Sequence, residues 1–239
     1  MEKKVVCILH SRSDTPGTFE EYFLKNQYGF KVLIAPEMRS SDFVIASQAD
    51  LLLVMGGAMG VYEQEAFPFL MTEIDLLKRR IDSDSPTLGI CLGAQLLAAA
   101  ANAKVYRSEK EEFGWFPLQA TQDGIADPVI GNTFSVRTDP VFHWHQDTFE
   151  LPVSCKNLLY SSRCTSQAFK VSQRIYGFQF HLELAAHELP DWIKSEPELS
   201  YGETPGVQNR EAMISDGNRY GGSLKDAAFG TLSNFSVLL

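Results

Sequence analysis

Cysteine is scarce in this chain. There are four in 239 residues, Cys7, Cys91, Cys155 and Cys164, and no two stand at the spacing of a zinc or iron–sulfur motif. A disulfide framework and a metal knuckle are thereby excluded, and free thiols in a reducing cytoplasm are the expectation. Positive charge is also in deficit. Thirty acidic residues face twenty-one basic ones, for a net charge of -9. Neither a nucleic-acid footprint nor attraction to an anionic membrane fits that balance. Long apolar runs are missing too, so no membrane span is expected. The first apolar stretch, Val5 to Leu9, is too short for a secretory leader and reads as a strand.

What is present is a chain 44% hydrophobic, enough to bury one sizeable core. Its first half alternates short apolar strands (4–9, 30–35, 50–57, 86–90) with segments of helical spacing (18–26, 67–81, 92–101). Asn102 is placed to close the last of these in a left-handed conformation. This alternation predicts an α/β fold, a mostly parallel open sheet with helices on both faces. After Lys104 the segments 114–121, 133–138, 141–149, 158–162, 166–172 and 175–184 read as strands joined by turns. They predict an antiparallel extension of the same sheet. Helix is expected from 184 to about 193. Residues 196–239, rich in Gly, Ser, Asn and Asp around 200–223, are expected to be a loop-rich tail rather than a separate domain.

The most informative stretch is Gly89-Ile90-Cys91-Leu92-Gly93, where a strand gives way to a helix. It has the form of a nucleophile elbow, with the nucleophile on a turn so tight that a Cβ on either flanking residue would collide with its neighbours. Cys91 would then sit at a helix N-terminus, where dipole and free N–H groups favour a thiolate. The Leu92 N–H would face an oxyanion formed by attack. The plainer reading is a small buried cysteine in a glycine-loosened turn.

A nucleophilic cysteine needs a base, and the base needs an orienter. His181 ends the apolar run "IYGFQFH", and Glu183 stands two residues on, on the same side of an extended segment. "VMGGAMGVYE" closes a strand with Gly56 and Gly57, a pair suited to presenting a second oxyanion N–H. His143 and His145 share the same i, i+2 spacing, but no third ligand is evident, so no metal is assigned. They are expected to line the site or satisfy a buried contact. His10 ends the first strand at the same sheet edge, either near the site or with no task. Cys7 is expected in the core.

Taken together, "MGGAMGVYE", "LGICLGAQLLA", "EEFGW", "VFHWHQDTF" and "GFQFHLE" resemble the class I (Cys-His-Glu triad) glutamine amidotransferases. The pattern is most similar to stand-alone members related to the amidotransferase domain of GMP synthase, and covers about residues 4–195. The resemblance implies a flavodoxin-like fold over 1–195, no cofactor, and a glutaminase half-reaction. Cys91 would attack the glutamine side-chain amide, His181 would protonate the leaving ammonia, and Glu183 would orient His181. The N–H groups of Gly57 and Leu92 would hold the oxyanion, and Gln95, Gly56 and His145 would contact substrate. A γ-glutamyl thioester would then hydrolyse. Leu182 stands where the family usually has proline, and Gln146 where it often has glycine. No P-loop or Ser-Gly-Gly loop is present, so either a separate synthase chain receives the ammonia or none does. Two further readings stay open: a γ-glutamyl peptide hydrolase on the same triad, and a non-catalytic regulatory subunit that keeps the fold.

Overall fold

A computed structural model of the protein describes residues 2–239. Short runs rich in Val, Leu and Ile form the strands β1 (Lys4–Leu9), β2 (Gly29–Ile34), β3 (Leu51–Val54) and β4 (Thr87–Ile90). Between them lie α1 (Thr18–Lys25), a 3₁₀ turn and α2 (Ser40–Ser47), α3 (Phe69–Asp82) and, after β4, α4 (Leu92–Ala100). Asn102 closes α4 at φ 67°, as expected. The second half contributes β5 (Val105–Phe116), β6 (Gln119–Ala120), α5 (Gln122–Ile125), α6 (Gly131–Phe134), β7 (Val141–Phe149), β8 (Lys156–Tyr160), β9 (Ala168–Lys170) and β10 (Ile175–Phe178). A 3₁₀ turn at Ala186–Glu188, α7 (Leu189–Ser195) and α8 (Arg210–Ser236) complete the chain.

Eight strands form one sheet in the order β2-β1-β3-β4-β10-β9-β8-β6. The first five run parallel, and β9, β8 and β6 extend the sheet antiparallel, as the sequence pattern predicts. One face is covered by Phe19 and Phe23 of α1 with Leu224, Leu232 and Phe235 of α8. The other is covered by Ile74 and Leu77 of α3 and Leu96 and Leu97 of α4. Arg80 is buried on this second side and donates to the carbonyls of Ala46, Ala49 and Pro86, tying α2, α3 and the start of β4 together.

Three expectations need correction. Segment 133–138 is not a strand. It holds the end of α6 and a bend, because Phe134 packs edge-on against Phe180 instead of entering a ladder. β5 and β7 do not join the large sheet but form a two-stranded ribbon of their own. Residues 210–236, within the tail expected to be loop-rich, are one long helix. Its Asn209 cap accepts from the Ala212 N–H at 2.7 Å. No helix among the described residues is long and apolar enough to cross a membrane.

Candidate active site

Parallel strands end together, and register brings four of them to one edge. Val54 of β3 lies beside Gly89 of β4, and Ile90 beside Phe178 of β10. The residues just beyond those ends, Gly56, Cys91 and Gln179 to His181, therefore meet with His10 from β1. This carboxyl edge is where open α/β sheets place their ligands.

Cys91 is the turn itself, at φ 50° and ψ -108°. A non-glycine residue there is strained and persists only if its surroundings over-determine it. They do: the Cys91 N–H donates to the Phe178 carbonyl at 2.8 Å, and its carbonyl accepts from the Gln95 N–H at 3.0 Å. Both neighbouring glycines are sterically required. A Cβ on Gly89 would lie 2.5 Å from the Gly93 carbonyl oxygen, and one on Gly93 would overlap the Val54 carbonyl. Leu92 opens α4, so its N–H lacks an acceptor within the helix.

The ring of His181 stands across Gly56 from Cys91. A Cβ on Gly56 would be 3.0 Å from His181 Cε1 and 3.6 Å from Cys91 Cβ. The His181 N–H donates to the Phe142 carbonyl at 2.8 Å, and its Nδ1 lies 2.8 Å from Glu183 Oε1. That bond fixes the ring and leaves Nε2, which makes no well-aligned hydrogen bond among the described residues, for the Cys91 side. Burial lowers the affinity of His181 for its second proton. The charges of Glu183 and the Cys91 sulfur outweigh burial and bring its pKa up to about 10. Glu183 is itself held, its carbonyl accepting from the Thr18 N–H at 2.8 Å. Leu182, between them, is fully buried and anchors the turn through packing rather than ring rigidity.

The sulfur has two further neighbours. It lies 3.8 Å from the Trp144 carbonyl oxygen and accepts from Gln179 Nε2 at 3.7 Å. Gln179 Oε1 in turn accepts from Gln95 Nε2 at 3.2 Å. Gln95 thus meets Cys91 through Gln179, a residue not singled out from the sequence although it lies inside "GFQFHLE". Trp192 of α7 stands edge-on to the His181 ring at 4.8 Å and packs against Trp144. The result is a nearly closed site, with Cys91 8% and His181 3% exposed. Cavities of about 460 and 340 Å³ open elsewhere, the first against Leu199 and Arg210, the second against Ile81 and Ala100.

His143 and His145 do face one way, and Glu112 of β5 is the third group beside them. The three ligand atoms lie within 4.8 Å of one another. The carboxylate is already occupied, however. Ser161 Oγ donates to one oxygen at 2.8 Å and Gln167 Nε2 to the other at 2.6 Å. His145 Nε2 is 3.4 Å from Glu112, and its Nδ1 is 3.2 Å from the Asp147 carbonyl. Complete burial pushes His143 down to about 3, so its ring is neutral. The three side chains form one buried polar cluster on the β5–β7 ribbon, and His145 is held within it.

The class-I glutamine amidotransferase family model matches residues 21–195. The chain belongs to this family. A glutamine amidotransferase structure from Thermotoga maritima is 29% identical over 98% of both chains, with a TM-score of 0.80. One from Methylobacillus flagellatus is 26% identical over 98% of this chain and 94% of that one, with a TM-score of 0.87. Among curated relatives, the glutamine amidotransferase-like protein YfeJ of Salmonella typhimurium is 31% identical over 65% of this chain. A glutamine-hydrolysing GMP synthase subunit from Methanococcus vannielii is 33% identical over 45% of it. The chain covers 66% of the former and 56% of the latter, less than two thirds of either. The family's open, mostly parallel sheet is the fold described above.

Proposed function

We propose that the protein releases ammonia from the side-chain amide of glutamine through a cysteine-bound γ-glutamyl thioester. One observation carries this reading: a strained cysteine at a helix N-terminus lies across a glycine from a histidine that a buried glutamate orients. The Cys91 sulfur attacks the amide carbon. The C–S bond forms, the carbonyl pair moves to oxygen, and the N–H groups of Gly57 and Leu92 stabilise the oxyanion. His181 delivers its Nε2 proton to the amide nitrogen, the C–N bond breaks, and ammonia leaves. Neutral His181 then takes a proton from water as the oxygen attacks the thioester. The C–S bond breaks, glutamate departs, and the thiolate–imidazolium pair is restored.

Gly56 forms the floor between sulfur and imidazole, and Gln95 acts on that floor through Gln179. Residues 1–195 form the amidotransferase unit, with 196–239 docked on it. The ammonia passes to a separate synthase chain, in keeping with the similarity to the GMP synthase subunit of Methanococcus vannielii.

The test is ammonia release across glutamine, asparagine and γ-glutamyl dipeptides. Glutamine is expected to be preferred, and Cys91→Ala to lower its turnover by about 10⁴ or more, to background. Turnover unchanged in that variant would remove Cys91 as nucleophile. Preference for a dipeptide would make the protein a γ-glutamyl peptide hydrolase, and no turnover with any substrate would leave a regulatory, non-catalytic role.

A further inference from the structure

The sheet edge that holds Cys91 also holds a second buried histidine–carboxylate pair. His10 follows the last residue of β1 and Glu73 lies on the inner side of α3. Both are at most 2% exposed. His10 Nε2 is 3.3 Å from Glu73 Oε2. Neither oxygen of Glu73 receives a well-aligned hydrogen bond among the described residues. Its compensation is therefore His10, and a carboxylate removed from water requires a cationic partner. With the pair's proton on the imidazole, both ring nitrogens are donors. One faces Glu73. The other, Nδ1, is 2.8 Å from the Gly56 carbonyl oxygen.

That carbonyl is one half of a peptide plane whose other half is the Gly57 N–H. A hydrogen bond from a cation to the oxygen draws electron density away from the nitrogen and makes its N–H a stronger donor. It also pins a Gly-Gly plane that would otherwise turn at little cost. The fit is close. A Cβ on Gly57 would lie 2.9 Å from His10 Cβ and 2.8 Å from Leu92 Cδ2, so the backbone there is wedged between His10 and Leu92. The chain thus repeats one device twice: Glu183 acts through His181 on the nucleophile, and Glu73 acts through His10 on the oxyanion donor.

We propose that His10 and Glu73 are positioning residues that orient and polarise the Gly56–Gly57 peptide as half of the oxyanion site. This rests on the function proposed above. The groups facing His10 are Glu73 and the Phe69 ring from α3, the Gly56 carbonyl beyond β3, and Asp14 from the loop after β1. Burial disfavours the imidazolium, and Glu73, the Gly56 carbonyl and Asp14 together outweigh it, so His10 stays protonated above its ordinary range.

The test uses the full chain and two readouts: steady-state ammonia release, and the ¹⁵N and ¹H shifts of the Gly57 amide. His10→Ala is expected to lower kcat about 100-fold with KM little changed, as for loss of one oxyanion donor. His10→Asn, whose amide nitrogen can take the place of Nδ1 without charge, should recover about tenfold of that loss, consistent with keeping the pin but not the polarisation. The Gly57 amide should move upfield in His10→Ala and in Glu73→Gln. In Glu73→Gln, kcat should fall as pH rises past neutrality, because His10 then loses its proton earlier. A His10→Ala enzyme within twofold of wild type, a Gly57 resonance that does not move, or a loss that His10→Asn does not recover would each overturn the proposal. Should His10→Ala fail to fold with Glu73 stranded, the neutral pair His10→Asn/Glu73→Gln decides. It should match His10→Asn alone, and wild-type kcat in it would sink the polarising role. A wild-type protein that releases no ammonia would end the functional reading instead, and the Gly57 shifts would still report whether His10 acts on this peptide.

Discussion

At the scale of single residues, the proton on His181 is the quantity on which the proposed chemistry turns. Burial opposes it, and Glu183 and the Cys91 sulfur hold it in place up to about pH 10. A folded-state pKa above the unfolded value of about 6.5 stabilises the fold fully below that value. The contribution is lost as pH rises through about 10. Melting temperature should therefore decline across that alkaline window in wild type and decline less in Glu183→Gln. The same variant keeps a hydrogen-bonding side chain but can favour the wrong tautomer, and kcat for ammonia release should drop about a thousandfold. An unchanged kcat would show that Glu183 does not act through His181. The three residues were legible in the sequence because each depends on local spacing: glycines at ±2 around Cys91, and an i, i+2 pair at 181 and 183. Gln179 and Glu112 were not, because their meaning lies in contacts 88 and 55 residues away along the chain, with Cys91 and Gln167.

Among the elements, α7 stands over the site through Trp192 and is expected to control access to the sulfur. It is a short helix with Pro190 in its first turn, and it carries Trp192 against both His181 and Trp144. Few backbone hydrogen bonds hold a helix of seven residues, so it can open locally at small cost. Trp192→Ala is expected to speed alkylation of Cys91 by iodoacetamide several-fold, while Cys7, fully buried in β1, stays unreactive. Equal rates in the two proteins would place the entry route elsewhere. A helix was readable from sequence here with Pro197 beyond its end, but α7 begins at Leu189, after the 3₁₀ turn, rather than at 184. Segment 133–138 misled because "TFSVRT" alternates like a strand. Its Arg137 instead donates to the Ser223 carbonyl at 2.9 Å, which holds the bend against α8.

For the molecule as a whole, the parallel sheet followed from the alternation of apolar strands and helices, but α8 did not. Its inward positions include Met213, Gly217, Gly221, Leu224, Ala228, Leu232 and Phe235, which have helical spacing. Gly217, Gly221 and Ala228 have little or no side chain, so the stripe carries little hydrophobic signal. Those small residues are there for close approach. A Cβ on Gly221 would lie 2.6 Å from Ala186 Cβ, and one on Gly217 would lie 2.8 Å from Leu189 Cδ2. A segment that reads as loop in composition is therefore the helix that backs the 3₁₀ turn and α7 behind Glu183. It also covers the face of the sheet built on Phe180 and Tyr176, the latter edge-on to Phe235 at 5.6 Å. Four large apolar side chains of α8, Met213, Leu224, Leu232 and Phe235, are buried. At about 1.5–3 kcal/mol each they contribute roughly 6–12 kcal/mol. That is as large as the whole net stability of an ordinary domain, about 5–15 kcal/mol. A chain ending before Arg210 is accordingly expected to lose its cooperative thermal transition and aggregate, although every residue proposed for catalysis is still in it. If the truncated chain melts cooperatively within a few degrees of the full-length protein, α8 is an appendage and the core on that face closes without it.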